Sequence, residues 1–87
     1  MPYGMRFIVP VKAYILIETA VGKTGDVAST LRSLPEVETV DSVTGPYDII
    51  AVVEAADLNR VGQLVTSQIH MVNDIIRTVT CLAIGRS

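Results

Sequence analysis

Two segments of similar hydrophobic spacing, joined by a short turn-forming run, constrain the fold of this chain more than any other feature. Moving the first segment forward by about 34 positions places Val27 on Val61 and Leu31 on Val65. The match is one of pattern rather than identity, and two copies are fewer than the three or more that a solenoid needs. We therefore predict a duplicated βαβ structure.

Apolar runs rich in β-forming residues predict four strands, at 12–19, 37–43, 47–54 and 74–84. The second of these is the most polar and is predicted to lie at a sheet edge. A first helix is predicted from Thr24, as its N-cap, to Leu34, because Pro35 cannot continue it. The order is βαββαβ.

The second helix is predicted to begin after Asp57 as its N-cap. Gly62 lies inside this helix, where it is unfavourable, and we expect it to allow close approach to the sheet. Residues at helical spacing form the predicted buried stripe: Leu58, Val61, Leu64, Val65 and Ile69.

Two interleaved βαβ halves with right-handed crossovers give an α+β, ferredoxin-like sandwich, a four-stranded antiparallel sheet with two helices on one face. The other face of such a sheet is normally polar, yet strands one, three and four carry apolar residues at both odd and even positions, which face opposite sides of the sheet. A large apolar patch is rare on a soluble monomer, and 49% of the 87 residues are hydrophobic. We expect a homodimer that forms through the sheet.

The chain is predicted to hold one domain at 12–84, with an N-terminal extension at 1–11 and a C-terminal tail at 85–87. A net charge of -2 provides no basic field, so direct binding of nucleic acid is not expected. Charged residues keep every apolar run well below the ~18 residues of a membrane span, and the N-terminus lacks the pattern of a signal peptide. We therefore expect a cytoplasmic protein with no membrane contact.

No catalytic or metal-binding pattern is present in the sequence. His70 and Cys81 are the only soft metal ligands and stand eleven positions apart, so no metal site and no cofactor are predicted. Cys81 lies in an apolar run and is predicted to be buried. His70 follows the second helix, where a structural or solvated role is favoured over general base catalysis.

The run Thr44-Gly45-Pro46-Tyr47-Asp48 is the one candidate for ligand binding. Gly45 permits close approach of a ligand to the backbone, Tyr47 offers an aromatic face and a hydroxyl, and Asp48 offers a carboxylate. The alternative is a tight hairpin in which Pro46 presets φ, Tyr47 packs and Asp48 caps the loop amides. The residue types leave both interpretations open.

The spacing of Gly22, Val27, Leu31 and Val37, then Val43-Thr44-Gly45-Pro46-Tyr47-Asp48 and Arg77-Thr78-x-Thr80, resembles the effector-binding domain of the Lrp/AsnC family of feast/famine regulators. This domain is also called the RAM domain, and the resemblance covers roughly 12–84. It implies a sandwich that dimerises through its sheet and assembles into rings such as octamers or decamers. It also implies that amino acids or related small molecules bind in clefts between dimers.

Carried over by position, the resemblance places Gly45, Pro46, Tyr47 and Asp48 in the loop that lines the cleft. Thr78 and Thr80 on the last strand would add polar contacts. Loop amides suit an α-carboxylate, and Asp48 or a threonine hydroxyl suits an α-ammonium. Regulators of this family carry an N-terminal helix-turn-helix domain, whereas only eleven residues precede the first predicted strand here. We therefore expect a stand-alone form that assembles with full-length regulators.

Three other functions remain open. An ACT-like amino-acid-binding module has a similar element order but pairs side by side, which the apolar sheet face disfavours. A dimeric α+β-barrel monooxygenase or isomerase shares the predicted fold, but the chain has no Trp and only one His to supply the usual catalytic sets. A scaffold with a non-functional cleft would act through assembly alone.

Overall fold

The computed structural model describes residues 10–84, so predictions for 1–9 and 85–87 lie outside the described residues. The elements follow the predicted βαββαβ order. A π-helical segment directly follows the second helix. The periodicity of the sequence predicted one continuous helix here and did not distinguish the two. The elements are β1 (Val11–Thr19), α1 (Thr24–Arg32), β2 (Val37–Ser42), β3 (Ile49–Ala55), α2 (Leu58–Leu64), the π-helical segment (Val65–Ile69) and β4 (Ile75–Leu82).

The four strands form one antiparallel sheet in the order β2-β3-β1-β4, which confirms the ferredoxin-like fold. β1 lies in the middle, where Ile15 is opposite Ala51 of β3 on one side and Thr80 of β4 on the other. β2 occupies one edge, as its polar sequence predicts, and β4 occupies the other.

The core lies between the sheet and the helices. Alternate residues of β1 and β3 point toward the helices, because successive side chains of a strand face opposite sides. Each large aliphatic side chain that becomes fully buried contributes about 1.5–3 kcal/mol to folding. The largest fully buried side chains are Ile15, Ile17, Leu31, Ile49, Leu64, Ile69, Val27, Val53 and Val61.

The predicted cap of α2 is confirmed and that of α1 is wrong. Asp57 accepts a hydrogen bond from the backbone N–H of Arg60 at 2.8 Å. Thr24 is instead the first residue of α1, and its hydroxyl lies 2.7 Å from the Thr19 hydroxyl rather than capping the helix. α1 ends at Arg32, two residues before the predicted Leu34, because the chain tightens there into short-range backbone bonds.

Three predictions fail at or near the edge strand β4. Leu58 was predicted to be buried but is 58% exposed at the start of α2. A Cβ built on Gly62 meets nothing within 4 Å, so this glycine makes no close approach to the sheet. Cys81 is exposed rather than buried, since it is opposite Tyr14 and faces away from the helices.

The sheet face away from the helices, which we call the free face, is apolar at its centre. Its members follow from the strand registers and are half-buried or exposed. The apolar side chains of the free face are Tyr14, Leu16, Ile50, Val52, Val79 and Cys81.

Within residues 10–84, no helix is long and apolar enough to cross a membrane.

Candidate functional site

The loop that precedes β3 is fixed at both ends by backbone hydrogen bonds. The N–H of Val43 donates to the carbonyl of Asp48 at 2.9 Å, and the N–H of Asp48 donates to the carbonyl of Ile17 at 2.9 Å. Gly45 has φ +141°, a conformation that favours glycine, and it lies with Pro46 at the exposed tip of the loop. The loop therefore presents open backbone on a fixed base.

Asp48 ties this loop to the end of β1. Its Oδ2 accepts a hydrogen bond from the Thr19 backbone N–H at 2.8 Å and from the Thr19 hydroxyl at 3.3 Å. The Thr19 hydroxyl also meets that of Thr24 at the start of α1, and Thr19 is 7% exposed. Asp48 thus caps a backbone amide, as the hairpin interpretation requires, but the amide belongs to β1 and not to the loop.

Tyr47 packs beside a cation at the end of the sheet. The Arg77 guanidinium carbon lies 5.3 Å from the centroid of the Tyr47 ring, which is a cation–π arrangement. Arg77 Nε also lies 3.4 Å from Glu18 Oε1, on the same face of the sheet. One face of the Tyr47 ring is therefore occupied by Arg77 in the chain itself.

Thr78 and Thr80 lie on the helix-facing side of β4. They are opposite Ile17 and Ile15, whose side chains are in the core. The Thr78 hydroxyl lies 3.1 Å from His70 Nε2, and His70 follows the π-helical segment. Thr80 is exposed and lines a groove beneath α2.

The six predicted site residues thus form two groups. Gly45, Pro46, Tyr47 and Asp48 share one loop, whereas Thr78 and Thr80 lie across β1 on the side of the sheet that faces the helices. The sequence interpretation missed Thr19 as the partner of Asp48 and His70 as the partner of Thr78. A threonine ending an otherwise apolar buried strand was a signal for the first pair, because a buried polar group requires a partner.

Two further charged pairs lie on the surface of the sandwich. Arg60 Nη2 donates to Glu36 Oε1 at 2.7 Å and Arg60 Nε donates to Glu36 Oε2, which raises the pKa of Arg60. A hydrogen bond with Glu54, together with repulsion from it, raises the pKa of Glu38 above its ordinary value of 4.5. Glu36 directly precedes β2 and the other three residues lie on β2, β3 or α2, so neither pair is in the loop.

A cleft of about 560 Å³ also opens between α1 and the turn that follows the π-helical segment. Asp26 and Asp74 are its acidic members. Within residues 10–84, no three His, Cys, Asp or Glu side chains converge as a metal site would require.

The model of the Lrp/AsnC ligand binding domain matches residues 12–87. This chain belongs to the Lrp/AsnC family. It is therefore a ligand-binding regulatory domain, as the loop and strand motifs indicated.

Solved structures agree with this assignment. The crystal structure of FFRP-DM1 is 39% identical over 85% of this chain and 99% of its own, with a TM-score of 0.82. TTHA0845 from Thermus thermophilus is 32% identical over 88% of this chain and 96% of its own, with a TM-score of 0.84. No curated protein sequence shows a significant match to the chain.

A more distant relative of the same fold has been solved with a ligand. It is the transcriptional regulator NMB0573 from Neisseria meningitidis, in complex with L-methionine. It is 19% identical, with a TM-score of 0.79 over 86% of this chain and 50% of its own. At this identity the likeness extends to the fold alone.

Proposed function

We propose that this chain is a non-enzymatic amino-acid-sensing and oligomerisation module. Membership of the Lrp/AsnC ligand-binding family supports a regulatory role. L-Methionine bound to a regulator of the same fold supports an amino acid as the ligand class. The observation that carries the proposal is the loop Gly45–Asp48, in which exposed backbone at Gly45 stands on a base that Asp48 fixes.

The proposed ligand site is a cleft between copies. Within one chain, the loop and the two threonines lie on different sides of β1 and do not line one cavity. A cleft formed where dimers meet would bring the loop of one copy toward the helix-facing side of β4 in another. This arrangement requires the dimer and higher assembly that the family resemblance implies.

The free face supports the proposed dimer. Its centre is apolar and formed by three strands, and self-association through this face would cover the patch. The charged side chains of this face lie at its rim. Lys12 is over Tyr14 and Arg77 meets Glu18 toward the ends, and Asp41 of β2 is opposite Ile50 at one edge. A polar rim around an apolar centre is typical of stable interfaces. The same surfaces would allow assembly with longer regulators of the family.

A thermal-shift screen of the purified protein against the common amino acids tests the proposal. A ligand present at about 100 times its Kd stabilises the folded state by roughly 2.7 kcal/mol, which a small domain reports as a clear rise in Tm. Asp48→Asn is the informative variant, because its amide oxygen can still accept from Thr19 while the charge that would pair with an α-ammonium is removed.

The matched control is Asp41→Asn, which removes the same charge from an exposed position of β2. The proposal expects a selective rise in Tm for the unmodified protein and for Asp41→Asn, and a reduced rise for Asp48→Asn. If no amino acid raises the Tm, the proposed ligand class is wrong and the scaffold alternative is favoured.

A further inference from the structure

The start of β1 lies beside the groove beneath α2. Val11, the first residue of β1, is opposite Ala55 at the end of β3, and Leu58 begins α2 three residues after Ala55. On the other side of β1, Leu82 at the end of β4 is opposite Ala13. The chain therefore enters the sheet between Leu58 and Leu82, and both of these residues line the groove.

This groove, which we call the edge groove, has a volume of about 350 Å³. Its lining contains no charged side chain. Leu58 and Leu82 are its two most exposed apolar members, at 58% and 42%. Covering these side chains is favourable, because it removes apolar surface from water. The apolar surface left open is thus concentrated at the end of the groove where β1 begins.

The backbone of β4 is also open at this end. The Ala83 N–H donates to the Lys12 carbonyl at 2.9 Å, so the adjacent Leu82 directs its own N–H and carbonyl away from β1. Within residues 10–84, that side of β4 is an edge of the sheet. Folded proteins commonly cover such edges, because an open edge can pair with other chains. Apolar side chains and free backbone groups therefore meet at Leu82.

The residues that directly precede β1 have the composition to cover this end. Phe7, Ile8 and Val9 are consecutive apolar residues, and positions 1–9 hold no acidic residue. Side chains alternate along an extended chain, and the residue before a proline, here Val9 before Pro10, favours an extended conformation. Phe7 and Val9 therefore share the parity of Val11, which packs against the core on the helix side of the sheet.

We propose that residues 7–9 pack across the edge groove of their own chain, with Phe7 and Val9 against Leu58 and Leu82. Phe7 is four residues before Val11, so it can reach any point within about 14 Å of that residue. A segment joined so closely to its site has a high effective concentration there, which favours the chain's own segment over an unlinked partner. The Lrp/AsnC ligand binding domain begins at residue 12, so this contact adds to the family domain and is not one of its elements.

Tryptophan fluorescence tests the contact, because the sequence contains no tryptophan. Phe7→Trp places a single reporter in the segment, in the 87-residue chain. The matched control is Val21→Trp, at a fully exposed position in the turn after β1. We expect the emission maximum of Phe7→Trp to lie at shorter wavelength than that of Val21→Trp, because the groove removes the ring from water.

A charge placed in the groove should displace the segment. Leu58→Asp and Leu82→Asp change exposed positions, so both variants are expected to fold. Combined with Phe7→Trp, each should return the emission maximum to that of Val21→Trp, because a carboxylate loses hydration against an apolar ring. Ile76→Asp is the control, since it changes an exposed apolar residue at the other end of β4 and should leave the emission unchanged.

Cross-linking identifies the chain that supplies the segment. Phe7→Cys together with Leu82→Cys, in a Cys81→Ser background that removes the native exposed thiol, should form a disulfide on mild oxidation. Such a bond requires Cα atoms within about 7 Å. We expect the product to have the mass of one chain on a denaturing gel without reductant. Phe7→Cys with Ser29→Cys, on the exposed side of α1, is the control pair and should stay reduced.

Three results would overturn the proposed contact. An emission maximum of Phe7→Trp equal to that of Val21→Trp would leave the segment in solvent. A shifted maximum that neither Leu58→Asp nor Leu82→Asp changes would place the segment on another surface. A disulfide that joins two chains would place the segment on a second copy.

Discussion

The side chain of Asp48 connects the Gly45–Asp48 loop to the core. Its carboxylate accepts from the buried amide of Thr19, and replacing it with alanine would leave that amide without its partner. We expect Asp48→Ala to lower the free energy of unfolding by about 1–3 kcal/mol. Urea denaturation measures the change.

Asp48→Asn is the control for this prediction, because its amide oxygen preserves the acceptor. It should cost less than Asp48→Ala, and Thr19→Val should lose only the weaker hydroxyl contact at 3.3 Å and the contact with Thr24. Equal stability of Asp48→Ala and the unmodified protein would show that the hydrogen bond contributes nothing net to folding.

Protonation of Glu38 makes the free energy of unfolding depend on pH. Its pKa is raised above 4.5 by the hydrogen bond with Glu54 and by repulsion from it, so the folded state binds this proton more tightly than the unfolded chain. The resulting stabilisation is complete below the unfolded pKa and is lost as the pH rises through the folded pKa. Near neutral pH, repulsion between the two carboxylates remains.

We therefore expect Glu38→Gln to raise the Tm near pH 7 and to lose that advantage below about pH 4, where Glu38 itself is protonated. Thermal unfolding monitored by circular dichroism across this range measures it. Asp41→Asn on the same strand is the control for a general loss of negative charge. A gain that is the same at both pH values would contradict the assignment to Glu54.

The helix α2 contains a glycine, Gly62, whose position leaves room for a side chain. Gly62 is helical, exposed and free of neighbours within 4 Å of a built Cβ. Alanine at this position should raise the free energy of unfolding by about 0.5–1 kcal/mol, since it reduces the backbone entropy lost on folding. Chemical denaturation tests this, and a loss of stability would indicate a close contact at Gly62.

The elements themselves were largely predictable from the sequence. Continuous apolar runs rich in β-forming residues identified β1 and β3. The spacing of Val61, Leu64 and Ile69 identified the buried side of α2 and its π-helical extension, and Asp57 identified the start of α2. The errors lie at the cap and the end of α1 and near β4. An apolar run does not indicate which of its side chains face away from the helices, as Cys81 does, or lie beside an uncovered edge strand, as Leu58 does.

The candidate site was predictable only in part. Glycine, proline and aspartate at close spacing identify the loop, because each of them has a local conformational effect. The contact between Asp48 and Thr19 joins residues 29 positions apart, and the one between His70 and Thr78 joins a helix end to a strand. Such pairings depend on the packed fold: the sequence indicates that Thr19 needs a polar partner but does not identify Asp48 as that partner.

For the whole molecule, the free face provides the test of assembly. Leu16 lies near its centre, opposite Ile50 of β3 and Val79 of β4. In a dimer that forms through this face, Leu16→Glu would bury a carboxylate among apolar side chains of both copies, which is strongly unfavourable. We expect this variant to be monomeric at concentrations at which the unmodified protein is dimeric, as measured by light scattering.

Ser29→Glu, on the exposed side of α1, adds the same charge away from the free face and should leave the dimer intact.

The monomeric Leu16→Glu variant also tests whether amino-acid binding requires assembly. Because one chain holds the Gly45–Asp48 loop and the two threonines apart, a ligand that needs both can bind only when copies associate. Leu16→Glu should therefore lose amino-acid binding in calorimetry although every predicted contact residue is present. If the folded monomer binds with full affinity, the cleft lies within one chain.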